Sequence, residues 1–156
     1  MEFYPFAKAL HIVSSTILFG TGLGTAFFQY RSRLTTDLHA RHLVTSTTVK
    51  ADFLFTAPSG LIQPLSGIWL IVVAGYDWNE PWLVVSYGLY VLAGLCWLPV
   101  VWIQLELKRL LDVALRTNSP LPARYDQLFR LWFWLGWPAF LSLIMVFYLM
   151  AAKPTW

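Results

Sequence analysis

Charge is what this chain has least of. Asp, Glu, Lys and Arg make up 12% of its 156 residues, where an ordinary soluble domain carries about 25%. The shortage excludes a body wetted on all sides, and the distribution excludes more. No charged residue falls in residues 9–30, 53–76, 81–105 or 131–152. Each of these runs is as long as the ~20 residues that carry a helix across a bilayer, and what lies between them is too short for a separate soluble domain. Cysteine is nearly absent as well. Cys96 stands alone, so an intramolecular disulfide, a CxxC redox pair and covalent CxxCH haem attachment are all excluded. A glycine-rich phosphate loop, a nucleophile elbow, an internal repeat and a low-complexity tract are missing too, which leaves soluble-enzyme chemistry without a visible site.

What is present is apolar: 58% hydrophobic residues, with 17% aromatic. The runs predict an all-α fold, an integral membrane four-transmembrane-helix bundle. It forms a single membrane domain over residues 1–156, with helices at about 4–30, 50–76, 81–116 and 124–152. The opening MEFYPFAK carries an acid and no basic stretch, so the first helix is expected to be retained and inserted N-terminus outward, not cleaved as a signal.

Connectors 31–52 and 106–130 lie on one side and hold nine of the Lys and Arg residues, against only Lys8 and Lys153 on the other. That asymmetry predicts both termini periplasmic in a bacterial inner (cytoplasmic) membrane, and the net charge of +3 is then a topology signal that implies no nucleic acid partner. Two aromatic belts agree, with Tyr4, Tyr76, Trp78, Trp82, Tyr148 and Trp156 outward and Tyr30, Trp102, Tyr125, Trp132 and Trp134 inward. Past Leu105, leucines at 107, 110, 111 and 115 carry the third helix into the cytoplasm as far as the polar and proline-rich turn at 117–122. Pro58 and Pro64 in the second helix and Pro138 in the fourth predict kinked second and fourth helices within a packed bundle. Gly20 with Gly24, Gly60 with Gly67, and Gly88 with Gly94 read as places where helices approach closely.

Ionisable groups inside a bilayer are costly, and here His11 is nearly alone. It lies ~9 Å below the outer end of its helix at 1.5 Å per residue. A neutral imidazole there can ligate haem iron or pass a proton; equally, Ser14, Ser15 or a nearby carbonyl can satisfy both its nitrogens. Depth places Met145 in the same layer, with Trp69, Tyr87 and Tyr90. A His/Met pair is an accepted axial set for haem, although a lone methionine also serves as packing, and a five-coordinate haem or two His11 from a dimer would do as well. Lys8, one turn outward, is where a haem propionate needs a cation, or where a lysine snorkels to headgroups. Ser15, Leu18 and Gly22 continue the His11 stripe with falling bulk, the slot a flat macrocycle needs.

At the inner ends, Gln29, Asp52, Gln104, Glu106 and Arg130 are expected to form a structural polar network, with Arg130 paired to Asp52 or Glu106. Gln63, beside Pro64, is expected to bond a carbonyl freed by the broken helix. His39 and His42, three apart, suit a metal gripped from one helix face or a plain solvated face.

The segments KALHIVSSTILFGTGLGTAF (8–27), ADFLFTAPSGLIQPLSGIWL (51–70) and FRLWFWLGWPAFLSLIMVFYLM (129–150) resemble a bacterial family of predicted four-helix integral membrane proteins with no assigned function. More distantly, Lys8-Ala9-Leu10-His11-Ile12 resembles the KxxHI opening of HemJ-type protoporphyrinogen oxidases, small four-helix proteins that bind haem b through this histidine. The layout from Pro58 to Gly67 is similar to theirs. The fourth helix departs: Phe129-Arg130 is followed by Leu-Trp-Phe-Trp-Leu-Gly-Trp-Pro where that group has an Asn-Glu-x-Pro motif.

The resulting expectation is a haem b-binding membrane protein with His11 as axial ligand and a redox role, either electron transfer or oxidation of a hydrophobic or porphyrin-like substrate. An enzyme of this kind would be a membrane oxidoreductase. Its associations beyond the lipid bilayer would be a homodimer and a quinone or membrane redox partner. The alternative is a cofactor-free membrane scaffold, accessory subunit or transporter-like protein.

Overall fold

In a bilayer, apolar side chains gain nothing by hiding from lipid, so small and polar side chains are free to make the helix contacts. The computed structural model, which describes residues 3–154, is built this way. Leu61, Trp134, Leu95 and Leu98 stand exposed around the outside, while Ser14, Gln29, Thr45, Thr48, Asp52, Thr56, Ser59, Ser66, Ser86, Gln104 and Ser142 are buried. Several of the buried hydroxyls return their proton to their own helix, as Ser66 does to the Ile62 carbonyl (2.7 Å) and Ser86 to that of Trp82 (2.6 Å).

The chain runs as α1 (Tyr4–Ser32), α2 (Leu38–Ala51), a π-helical turn (Asp52–Thr56), α3 (Ala57–Ala74), α4 (Pro81–Thr117) and α5 (Ala123–Ala152). Among the described residues these form four stretches long and apolar enough to cross a membrane, with Leu38–Ala74 counting as one. The second helix therefore begins at Leu38, about a dozen residues before the expected start near 50. Its N-cap explains the early start: the Asp37 carboxylate accepts from the His39 backbone N–H at 2.8 Å. The polar segment that follows can be helical because it lies along α1 and α4 at the end of the bundle. The other boundaries follow ordinary rules. α3 stops where Gly75 turns left-handed (φ 71°), and α4 stops at Asn118 (φ 47°) with the Ser119 N–H bonded to the Ala114 carbonyl at 3.0 Å.

Packing is pairwise. α4 lies against α5 along its length, α1 against α3, and α2 closes the end that carries the basic connectors. Between α4 and α5, Ile103, Leu107, Leu111, Tyr125, Phe129 and Trp132 form the main apolar core at that basic end. Ile71, Trp82, Leu83 and Leu149 form a smaller one at the terminal end, the end that carries both termini. Trp82, Tyr125 and Trp132 were expected in the belts but belong to these cores instead, because each lies on the face its helix turns to a partner. Trp78, Tyr148, Tyr30, Trp102 and Trp134 are exposed, as a belt requires. Glu2 and Trp156 lie outside the described residues.

Outside α3 the glycines do not behave as close-approach points among the described residues. A Cβ added at Gly20, Gly22, Gly24, Gly88, Gly94 or Gly136 would meet no atom within 4 Å. The two α3 glycines differ: a Cβ at Gly60 would reach Leu18 Cδ1 and the Tyr90 hydroxyl at 3.9 Å, and one at Gly67 would stand 3.3 Å from His11 Cε1.

Candidate functional site

His11 faces α3, one turn of which is built to receive it. The Ser66 hydroxyl donates to the Ile62 carbonyl, which leaves its oxygen to accept from His11 Nδ1 at 2.9 Å. His11 Nε2 then accepts from the Gln63 amide nitrogen at 3.0 Å, and the Gln63 carbonyl oxygen accepts from the Ser14 hydroxyl. The neutral Nδ1–H tautomer completes all these bonds at once. Gln63 thus serves His11 and Ser14. The carbonyl left free by Pro64 is that of Gly60, four residues earlier, and it accepts from the Tyr90 hydroxyl at 2.6 Å. Sequence spacing points to the broken bond; that a tyrosine from α4 meets it depends on the tertiary fold.

The other residues expected around His11 are not gathered on it. Met145 is 48% exposed and turned outward, Tyr87 is 39% exposed, and Lys8 is exposed at the terminal end. Ser15 bonds the Ile12 carbonyl at 2.8 Å, and Trp69 packs edge-on against Phe6 with centroids 6.2 Å apart. The gap bounded by Ser15, Gln63 and Tyr90 is about 20 Å³, too small for a macrocycle.

A far larger space lies elsewhere. Between the α1/α3 pair and the α4/α5 pair is a cavity of about 590 Å³. Gly22, Gly60, Gly94 and Gly136, one from each spanning helix, form part of its wall, and Tyr90, Trp97, Trp132 and Phe140 offer it aromatic surface. The exposed residues on its rim, Leu61, Val91, Leu95 and Leu98, all belong to α3 and α4. The mouth therefore opens sideways between those two helices, into the layer where lipid chains lie. No residue type announces such a space in sequence. The one hint is a glycine on every spanning helix, and those glycines read equally well as packing contacts.

Asp52 and Gln104 stand at the basic end of this cavity. Asp52 is 4% exposed and sits at the start of the π-helical turn, where the widened backbone brings the Thr56 hydroxyl onto its carboxylate at 2.9 Å. Gln104 lines the same end of the cavity. The rest of the expected network is divided. Glu106 pairs with Arg109 (2.7 Å) and Arg124 (3.3 Å), neither of them foreseen. Arg130 lies on the exposed face of α5 and makes no ion pair among the described residues. Gln29 is fully buried, and neither end of its amide has a partner among the described residues.

His42 does not pair with His39. Its Nε2 lies 2.6 Å from Asp112 Oδ1, so it ties α2 to the extension of α4. Asp112 is two turns beyond the membrane-spanning part of that helix. Burial pushes its carboxyl up, but the His42 hydrogen bond and the charges of Lys108 and His42 outweigh this and leave it below the usual carboxylate range.

A family model described as "Predicted integral membrane protein (DUF2269)" matches residues 5–154. No curated protein and no solved structure matches the chain.

Proposed function

Since this chain belongs to the DUF2269 family of predicted integral membrane proteins, a membership that brings no activity with it, we propose that it binds a lipophilic small molecule within the bilayer, as a carrier or transporter-like protein. The observation that carries this reading is the 590 Å³ cavity with its sideways mouth between α3 and α4. Ligand sites are concave, mostly apolar and few per protein, with a small number of placed polar groups, and this space has that character. In our reading the protein lies in a bacterial inner membrane with both termini periplasmic, on the strength of the basic connectors. Pro64 and Pro138 bow the second and fourth helices around the space.

The test is native mass spectrometry of the protein as purified in mild detergent. The wild type is expected to carry an apolar adduct. Gly94→Phe, which turns a ring into the cavity, is expected to lose it, while Gly20→Phe on the exposed face of α1 keeps it. The absence of an adduct from the wild type, or equal adducts in all three, refutes the reading.

Haem b on His11 is the second reading, favoured by the Ser66 oxygen that fixes Nδ1 and so makes Nε2, which Gln63 holds here, the nitrogen a metal would take. The Gln63 amide has to leave Nε2 for iron to bind there, and haem would then supply one-electron chemistry. A Soret band that vanishes in His11→Ala supports it; a colourless protein after expression with added haem precursor ends it.

A further inference from the structure

The floor of the cavity holds a carboxylate without a counter-charge. Asp52 is buried, and no Lys, Arg or His nitrogen lies within 4.0 Å of it among the described residues. Its hydrogen-bond donor is neutral, the Thr56 hydroxyl, and Gln104 lines the cavity beside it. That hydroxyl satisfies one carboxyl oxygen and brings no positive charge. Ionisable side chains within a membrane segment face the bundle interior or a cavity and mark ligand or ion pathways. Asp52 also opens a π-helical turn, a local irregularity that recurs at functional sites.

The walls above Asp52 are aromatic. Tyr90, Trp97, Trp132 and Phe140 line the same space, and the faces of such rings attract organic cations, more strongly once water is excluded. An anion at one end and π faces around it are complementary to positive charge on an apolar body. A neutral lipid would gain nothing from Asp52, and a bare proton would need no cavity of this size.

We infer that the ligand of this cavity is a lipophilic organic cation, an amine or quaternary centre carried on an apolar or aromatic frame, with its charge toward Asp52 and its body among Tyr90, Trp97, Trp132 and Phe140. The inference rests on the proposed binding role of the cavity and names the class of molecule that fills it. The molecule enters from the bilayer between α3 and α4, so it has to partition into lipid while charged. Delocalised or well-shielded cations do so.

The experiment measures binding of tetraphenylphosphonium, neutral triphenylmethane and anionic tetraphenylborate to the wild type and to Asp52→Asn and Gly94→Phe, in phosphatidylcholine nanodiscs. The wild type is expected to bind the cation at least tenfold more tightly than either other probe. Asp52→Asn, which keeps the size and one acceptor of the side chain, should abolish that preference. Gly94→Phe should weaken every probe that binds. The charge series on the wild type needs no variant, so a misfolded Asp52→Asn leaves the test intact. If the neutral probe binds as well as the cation and Gly94→Phe displaces both, the cation assignment fails while the cavity reading stands. If no probe binds the wild type, or Gly94→Phe changes nothing, the cavity reading fails with it.

Discussion

A methyl group at Gly67 would crowd His11, since a Cβ would stand 3.3 Å from its Cε1 and the ring that has to give way is held at both nitrogens. Gly67→Ala is therefore expected to cost about 1–3 kcal/mol by overpacking, read as a lowered thermal midpoint in detergent, whereas Gly20→Ala should cost nothing of the kind. Tyr90→Phe removes the hydroxyl that donates to the Gly60 carbonyl freed by Pro64. In a water-poor interior that acceptor then stays unsatisfied, at a cost of about 1–3 kcal/mol. Restoring a backbone donor with Pro64→Ala should recover part of the loss, and a double-mutant cycle on the two positions measures it. Sequence reasoning singled out His11, since an imidazole in an otherwise charge-free run is conspicuous, and the structure shows it half-buried within a polar cluster. The partners of its ring were not legible. Ser14 and Ser15, the local candidates, bond other groups, while Gln63 and Ser66 come from a helix more than fifty positions away, and no periodicity in α1 can name them.

At the scale of elements, the four spans were legible because charge-free runs of that length have one physical explanation. The start of α2 was not. Residues 38–51 mix His, Thr, Arg and Lys with few large apolar groups, and their helicity depends on a cap and on two neighbouring helices. Asp37→Ala should loosen this segment by about 1 kcal/mol, visible as faster amide exchange confined to the first turns of α2. Asp112 holds the same segment from the other side through His42. Its carboxyl is depressed in the folded protein, so its stabilisation is fully present above the ordinary carboxylate pKa of about 4 and is lost as pH falls through the depressed value. Thermal unfolding of the wild type minus that of Asp112→Asn should show a difference that is level at neutral pH and closes below about pH 4. Because the pair is partly exposed, that difference is expected to be at most about 1 kcal/mol.

At the scale of the whole molecule, the bundle is two helix pairs leaning together around a void, bridged at the basic end by α2. That arrangement could not be read from the chain, because four glycines on four helices face one space only after the pairs are docked. Orientation, by contrast, rests on the sequence alone and has a direct check. In a Cys96→Ser background, an impermeant maleimide on intact cells is expected to label Asn79→Cys, and to reach Gln127→Cys only after permeabilisation. The reverse pattern would invert the topology.

The sideways mouth between α3 and α4 has a consequence for how any affinity is measured. A molecule that arrives through lipid meets the protein at its concentration in the bilayer, which its partition coefficient sets and the bulk solution does not. An aqueous dissociation constant is then a product of two equilibria and falls as lipophilicity rises, with no change in any contact to the protein. Selectivity among ligands has to be compared as mole fraction in the membrane, and doubling the lipid at fixed total ligand should right-shift every titration.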